Sequence, residues 1–145
     1  MQEEFGIKQS KLLQEMATRW WSILNMLQSL AKNFAVTNLA LVKAERHDLV
    51  LTNEEEIKIQ EIIQLFTDLK AKTDYLGVAD EITITSILPT FQYFRIIFNE
   101  RKPQETTMIR SMKDHMLAKL ESRYDAVKTE YLKQCTYSDP RLLFF

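Results

Sequence analysis

The stretch Ala17-Thr18-Arg19-Trp20-Trp21-Ser22 places a guanidinium beside two indoles, near the start of a long apolar pattern. Adjacent residues of a helix point about 100° apart, so the two tryptophans cannot serve the same face. Trp is costly to bury without a partner for its indole N–H, and Arg is almost never buried unpaired. The stretch therefore predicts a helix with one indole in the core, one at its edge, and a guanidinium able to bind an anion.

Outward from this stretch, residues 8–46 predict a helix with a break near Thr18, because Thr is able to cap a new helix there. The register puts Trp20 on the apolar stripe and leaves Arg19 and Trp21 off it. This position favours core burial of Trp20 over a contact with a ligand, and it makes Arg19 the more available polar residue. The stripe repeats at steps of three and four and consists of Leu13, Met16, Trp20, Ile23, Leu27, Leu30 and Phe34.

The composition is that of a single helical domain. The chain has 145 residues, 46% hydrophobic, with two Gly and three Pro, which argues against a turn-rich β architecture. A net charge of −1 provides no global field for nucleic acid or membrane. The single cysteine, Cys135, fits a reducing compartment. Without a signal-peptide or membrane-span pattern, we expect a soluble intracellular protein with no membrane contact.

A second helix is predicted behind Thr52, which forms a capping box with Glu55. Its apolar face reaches about Leu76, and Gly77 suits the position after the helix end. The acidic run at residues 54–56 matches the positive end of the helix dipole, which is a more common reason for such a run than metal binding.

Residues 82–85 alternate and are β-branched, which is a strand signal. One short strand without an evident partner does not form a sheet, so residues 78–88 are predicted to be an extended link. A third helix over residues 86–101 then begins at a Thr85 or Ser86 cap, with Pro89 in its first turn. This helix is rich in aromatic residues, which at this spacing are more often core than a stack for bases: Phe91, Tyr93, Phe94 and Phe98.

The last helix is predicted over residues 106–134, opened by Thr106 or Thr107 after Pro103. Its flanks mix basic and acidic side chains, so a solvated face is favoured over a basic ridge for phosphate. His115 and Cys135 lack the arrangement of base, nucleophile and orienting group that catalysis needs, and we assign them no chemistry.

The Asp139-Pro140 pair predicts a turn, and the apolar residues that follow it suggest an element that continues into missing protein. We expect an exposed apolar patch around Phe144, Phe145 and the aromatic helix. The predicted fold is all-α: one domain over residues 1–145, an irregular bundle of four or five helices with a long first and a long last helix.

Several segments together resemble hAT-superfamily transposases and their domesticated BED-zinc-finger relatives. Thr18-Arg19-Trp20, followed by Ser22, is similar to the TRW segment of that family. Its later blocks resemble, in order, Leu51-Thr52 with the acidic helix start, Thr83 to Pro89, Arg123-Tyr124, and Asp139-Pro140-Arg141. The ordered resemblance spans residues 12–145. The family commonly has Asn at the position of Trp21, and Leu at that of Ser138.

The resemblance implies that this chain is mostly the helical insertion of an RNase H-like catalytic core. The catalytic carboxylates then lie outside this chain, and one Cys and two His cannot build a BED zinc finger. We therefore expect no enzyme activity, no metal site and no cofactor in this chain. In active members the Trp stacks near a flipped base, which maps onto Trp20, with Arg19 placed for phosphate.

Three functions follow from these observations. The first is a non-catalytic, transposase-derived nuclear fragment whose helices scaffold DNA or protein contacts. The second is a helical protein-interaction module with no nucleic-acid role. The third is a piece of an active transposase that needs the missing core. The expected partners are DNA, the missing parts of a transposase-like protein, or a second copy of the chain.

Overall fold

In the computed structural model, the described part of the chain is all-α, with six α-helices and no strand. The description covers residues 12–14, 21–77, 84–124 and 126–142, without the side chains of residues 126–128. The helices are α1 (Ser22–Lys32), α2 (Phe34–Lys43), α3 (Asn53–Leu76), α4 (Ile84–Asn99), α5 (Thr107–Arg123) and α6 (Ala126–Tyr137). Short 3₁₀ turns cover His47–Leu49 and Pro140–Leu142.

The chain divides into two compact units, Met1–Thr67 (unit 1) and Asp68–Phe145 (unit 2). The predicted all-α class is confirmed, but the described residues form six α-helices instead of four or five, and the first and last of them are not long. The longest described helix is α3, with 24 residues, whereas α1 has 11 and α6 has 12. Within the described segments, no helix combines the length and the apolar composition needed to cross a bilayer.

The predicted helix over residues 8–46 is wrong in two places. Residues 12–14 are not helical, and the chain turns at Asn33 between α1 and α2. The Asn33 side chain is 2% exposed and donates to the Ser29 carbonyl at 2.8 Å. Because Asn bonds its own local backbone in this way, it competes with regular helix formation. The predicted break near Thr18 lies outside the described residues.

The predicted apolar stripe is also wrong at the start of α1, although its later members Leu27 and Leu30 are half-buried. Leu24 is 1% exposed, whereas Ile23, which was assigned to the stripe, is 39% exposed. The residue before α1, Trp21, has φ 65° and ψ 8°, in the left-handed region. A residue with left-handed backbone interrupts the helical periodicity. The positions of buried residues in α1 therefore cannot be counted forward from Leu13 through Trp21. Leu13 itself is exposed.

The start and end of α3 agree with the sequence prediction. The Thr52 amide donates to Oε2 of Glu55 at 2.8 Å, and the Glu55 amide donates to the Thr52 hydroxyl at 3.3 Å. These reciprocal bonds form the predicted capping box. At the other end, the Gly77 amide donates to the carbonyls of Thr73 and Asp74. Local sequence therefore determines both ends of this helix.

In unit 2, α4 packs against both α5 and α6. It begins at Ile84, two residues before the predicted start, so residues 84–88 are helical and not an extended link. Pro89 lies inside α4 and beyond its first turn. The buried apolar residues of the unit are Leu69, Phe91, Phe98, Ile109 and Leu132.

The predicted helix over residues 106–134 is two helices. Thr106 caps α5 as expected, since its hydroxyl accepts from the Ile109 amide at 3.4 Å. The helix α5 ends at Arg123, because the next residue, Tyr124, has a φ of −114° and a ψ of 84°, which are not helical. The Tyr124 ring lies against Phe91 of α4, with a centroid distance of 4.8 Å. The periodic pattern alone could not show this break, because it continues through both helices.

Candidate functional site

The residues predicted to contact DNA, Arg19 and Trp20, lie outside the described residues, as does Thr18. Ser22 begins α1 and is half-buried. The neighbouring indole, Trp21, is described: it is half-buried and meets Phe66 edge-on at a centroid distance of 6.1 Å. Edge-to-face aromatic pairs of this kind stabilise by about 0.5–1.5 kcal/mol beyond the area they bury. Trp21 is therefore a packing residue at the edge of unit 1.

The best-defined polar site of the described chain lies where the start of α4 meets the end of α6. We call this site the α4–α6 joint; it consists of Thr85, Pro89, Thr136, Asp139 and Arg141. Its central residue is Asp139, which is 7% exposed. Oδ2 of Asp139 accepts from the Thr85 hydroxyl at 2.7 Å, across 54 residues of sequence. The Asp-Pro-Arg segment, predicted only as a turn, thus reaches back to the start of α4.

Arg141 donates further hydrogen bonds to the Asp139 carboxylate. Its backbone amide donates to Oδ1 at 2.9 Å, which caps the 3₁₀ turn that begins at Pro140. Its guanidinium donates through Nε to Oδ1 at 3.0 Å and through a terminal nitrogen to Oδ2 at 2.8 Å. These bonds, first from the Arg141 guanidinium and then from the Thr85 hydroxyl, hold the pKa of Asp139 well below its ordinary value. Asp139 is therefore an anionic anchor.

Pro89 explains the third contact of the α4–α6 joint. In a regular helix the amide of residue 89 would donate to the carbonyl of Thr85, but proline has no N–H. The Thr136 hydroxyl lies 3.0 Å from that carbonyl and 2.8 Å from the Leu132 carbonyl of its own helix. The single hydroxyl hydrogen of Thr136 is therefore shared between two carbonyls, one of them the Thr85 carbonyl to which Pro89 cannot donate. Buried carbonyls require such donors.

The family-motif pair Arg123-Tyr124 has two different environments. Arg123 is the last residue of α5 and is exposed, whereas Tyr124 is half-buried against Phe91. Tyr124 therefore contributes to the packing of α4, on which the α4–α6 joint is also built.

A buried ion pair, missed by the sequence prediction, lies at the turn between α4 and α5. Lys113 was expected on a solvated flank, but it is 4% exposed. Its ammonium bonds the Glu105 carboxylate and donates to the Glu100 carbonyl at 3.0 Å. Burial, the largest single influence, raises the pKa of Glu105, but the hydrogen bonds and positive charges of Lys113 and Lys102 together outweigh it, so the pKa is lowered. The alternation of charges in the sequence gave no signal for this burial.

Other cations near α5 face acidic partners. Arg101 pairs with Asp114, and Nε of Arg95 lies 3.5 Å from Oε1 of Glu121. Together with Lys113 of α5, these cations therefore have acidic partners, in keeping with the mixed charges of the sequence.

Two further reactive side chains, His115 and Cys135, lie on α5 and α6. Nδ1 of His115 lies 2.7 Å from the Ser111 carbonyl of its own helix, and Cys135 is half-buried on α6. In the described part of the chain, no three His, Cys, Asp or Glu side chains converge as a metal site would require. The hydrogen bonds of the α4–α6 joint hold the start of α4 to the end of α6.

Comparison with protein-family models, with curated proteins and with solved structures finds no match to this chain.

Proposed function

We propose that this chain is a non-catalytic fragment of an hAT-type, transposase-derived nuclear protein, and that its helices scaffold contacts with DNA and with other protein segments. In this proposal the catalytic carboxylates belong to segments outside the chain. Arg19 contacts a phosphate, and Trp20 stacks on an unpaired base. The protein partners are the remaining parts of a transposase-like protein or a second copy of the chain.

The observation that carries the proposal is the hydrogen bond between Thr85 and Asp139. It joins two segments that resemble separate blocks of the family, Thr83 to Pro89 and Asp139-Pro140-Arg141, over 54 residues of sequence. A third block, Arg123-Tyr124, packs on the same helix through Tyr124. Residues shared by a family for architectural reasons are expected to contact one another in this way.

The backbone at Trp21 gives independent support. Its φ of 65° is a conformation that Asn adopts far more readily than a large aromatic residue. The family that the segment resembles commonly has Asn at this position. A requirement for left-handed backbone directly before a helix accounts for that preference, and here the packing of Trp21 against Phe66 offsets the conformational cost.

The second candidate function is a helical protein-interaction module with no nucleic-acid role. The pairing of cations on and near α5 favours it, because Lys113 of α5, Arg101 before this helix and Arg95 of α4 all have acidic partners. The expected apolar docking patch takes a different form from the prediction. Phe91 and Phe98 of α4 are buried, and the exposed large apolar residues of the helix are Ile84 and Ile96. Phe144 and Phe145 lie outside the described residues.

A salt titration of DNA binding separates the two candidates. The binding of the full chain to a hairpin DNA is measured by fluorescence anisotropy at salt concentrations between about 50 and about 300 mM. Over this range, contacts between a protein and DNA phosphates weaken strongly. The proposal predicts saturable binding that weakens as salt rises. Trp20→Ala is expected to weaken binding by about 5- to 150-fold, the equivalent of one lost base stack of about 1–3 kcal/mol.

Trp21→Ala is the matched control, since it removes the neighbouring indole, which packs against Phe66. Both variants are checked for retained helicity by circular dichroism. Absence of binding at low salt, or binding that does not depend on salt, would leave the interaction module as the function. An equal loss in the two variants would refute the assigned role of Trp20.

A further inference from the structure

We draw no further inference here: the strongest candidate, the uncharged outward stripe of α3 formed by Asn53, Ile57, Gln60, Gln64 and Thr67, carries nothing because no feature of the described residues shows what covers it.

Discussion

The two units hold their polar groups in different ways. In unit 2, buried polar side chains pair over long stretches of sequence: Thr85 with Asp139 over 54 residues, and Thr136 with the Thr85 carbonyl over 51. In unit 1 the described polar side-chain contacts are more local. Asn33 bonds Ser29 within one turn, and Asn38 bonds the amide and the carbonyl of Leu51 over 13 residues.

The difference shows which substitutions should matter in each unit. Polar partners far apart in sequence fix the helices of unit 2 to one another, so removing one partner takes a hydrogen bond from a buried group. Local polar contacts and backbone conformation shape the turns of unit 1, so its sensitive positions are those where the backbone is constrained. The predictions below test this contrast, beginning with the largest effect.

Lys113→Ala should be the most damaging change. It leaves the Glu105 carboxylate buried without its cation, at a cost of about 3–5 kcal/mol in the free energy of unfolding. Urea denaturation followed by circular dichroism measures the loss. Arg101→Ala is the matched control, because it removes an exposed ion pair with Asp114 whose expected contribution is about 0–1 kcal/mol. If the two variants lose the same stability, the buried pair does not have the assigned role.

Thr136→Val should cost about 1–3 kcal/mol, because it removes the hydroxyl that serves the buried Thr85 carbonyl. Pro89→Ala restores an amide able to donate to that carbonyl, so Thr136→Val should cost about 1 kcal/mol less in that background. Thr136→Ser, which keeps the hydroxyl, should retain most of the stability. If Thr136→Val lowers the free energy of unfolding equally in the parent chain and in the Pro89→Ala background, then the Thr136 hydroxyl does not replace the missing amide of residue 89 as donor to the Thr85 carbonyl.

In unit 1 the expected effects come from backbone conformation. Trp21→Gly should be more stable than Trp21→Ala by about 1 kcal/mol, because both lose the Phe66 contact and only Gly adopts a φ of 65° without strain. Ala35→Gly, on the exposed face of α2, should instead destabilise by about 1 kcal/mol. Thermal unfolding of the three variants gives the comparison. A Gly that is no better than Ala at position 21 would refute the left-handed assignment.

The smallest expected effect is a change in how stability depends on pH, and it comes from Asp139 of the α4–α6 joint. Because the pKa of Asp139 is lowered in the folded chain, its contribution to stability is complete above the ordinary Asp value of about 3.9. That contribution is lost as the pH falls below this value toward the lowered folded pKa. The urea midpoint of Asp139→Asn should therefore fall less steeply than that of the parent between pH 6 and 2.5, an experimental range spanning about the ordinary carboxyl values. Parallel curves would contradict it.

Sequence predicted best what depends on neighbouring residues. The capping box of Thr52 and the start of α5 at Thr106 follow from local side-chain bonds, and both are confirmed. The helix breaks at Asn33 and Tyr124 were missed because an apolar periodicity can continue through a break. Their causes are a side-chain bond to Ser29 in the first case and a tertiary contact in the second.

The site was predictable only in part. Asp139 and Arg141 were singled out by the resemblance, but their partner Thr85 was expected only as a helix cap. The role of Pro89 in exposing a carbonyl to Thr136 depends on the packing of α4 against α6. The charge pattern also does not show that Lys113 is buried, since a lysine amid alternating charges on a helix is usually solvated.

The central claim is a division of roles: the Asp139–Arg141 pair belongs to the architecture of unit 2, whereas DNA contact belongs to Arg19. The most direct test compares hairpin DNA binding by Arg19→Ala and Arg141→Ala over a range of salt concentrations. The account predicts that Arg19→Ala weakens binding and lowers the salt slope by about 0.9, the value for one phosphate contact. Arg141→Ala should leave affinity unchanged while lowering stability. Loss of DNA affinity in Arg141→Ala with no change in Arg19→Ala would contradict the account.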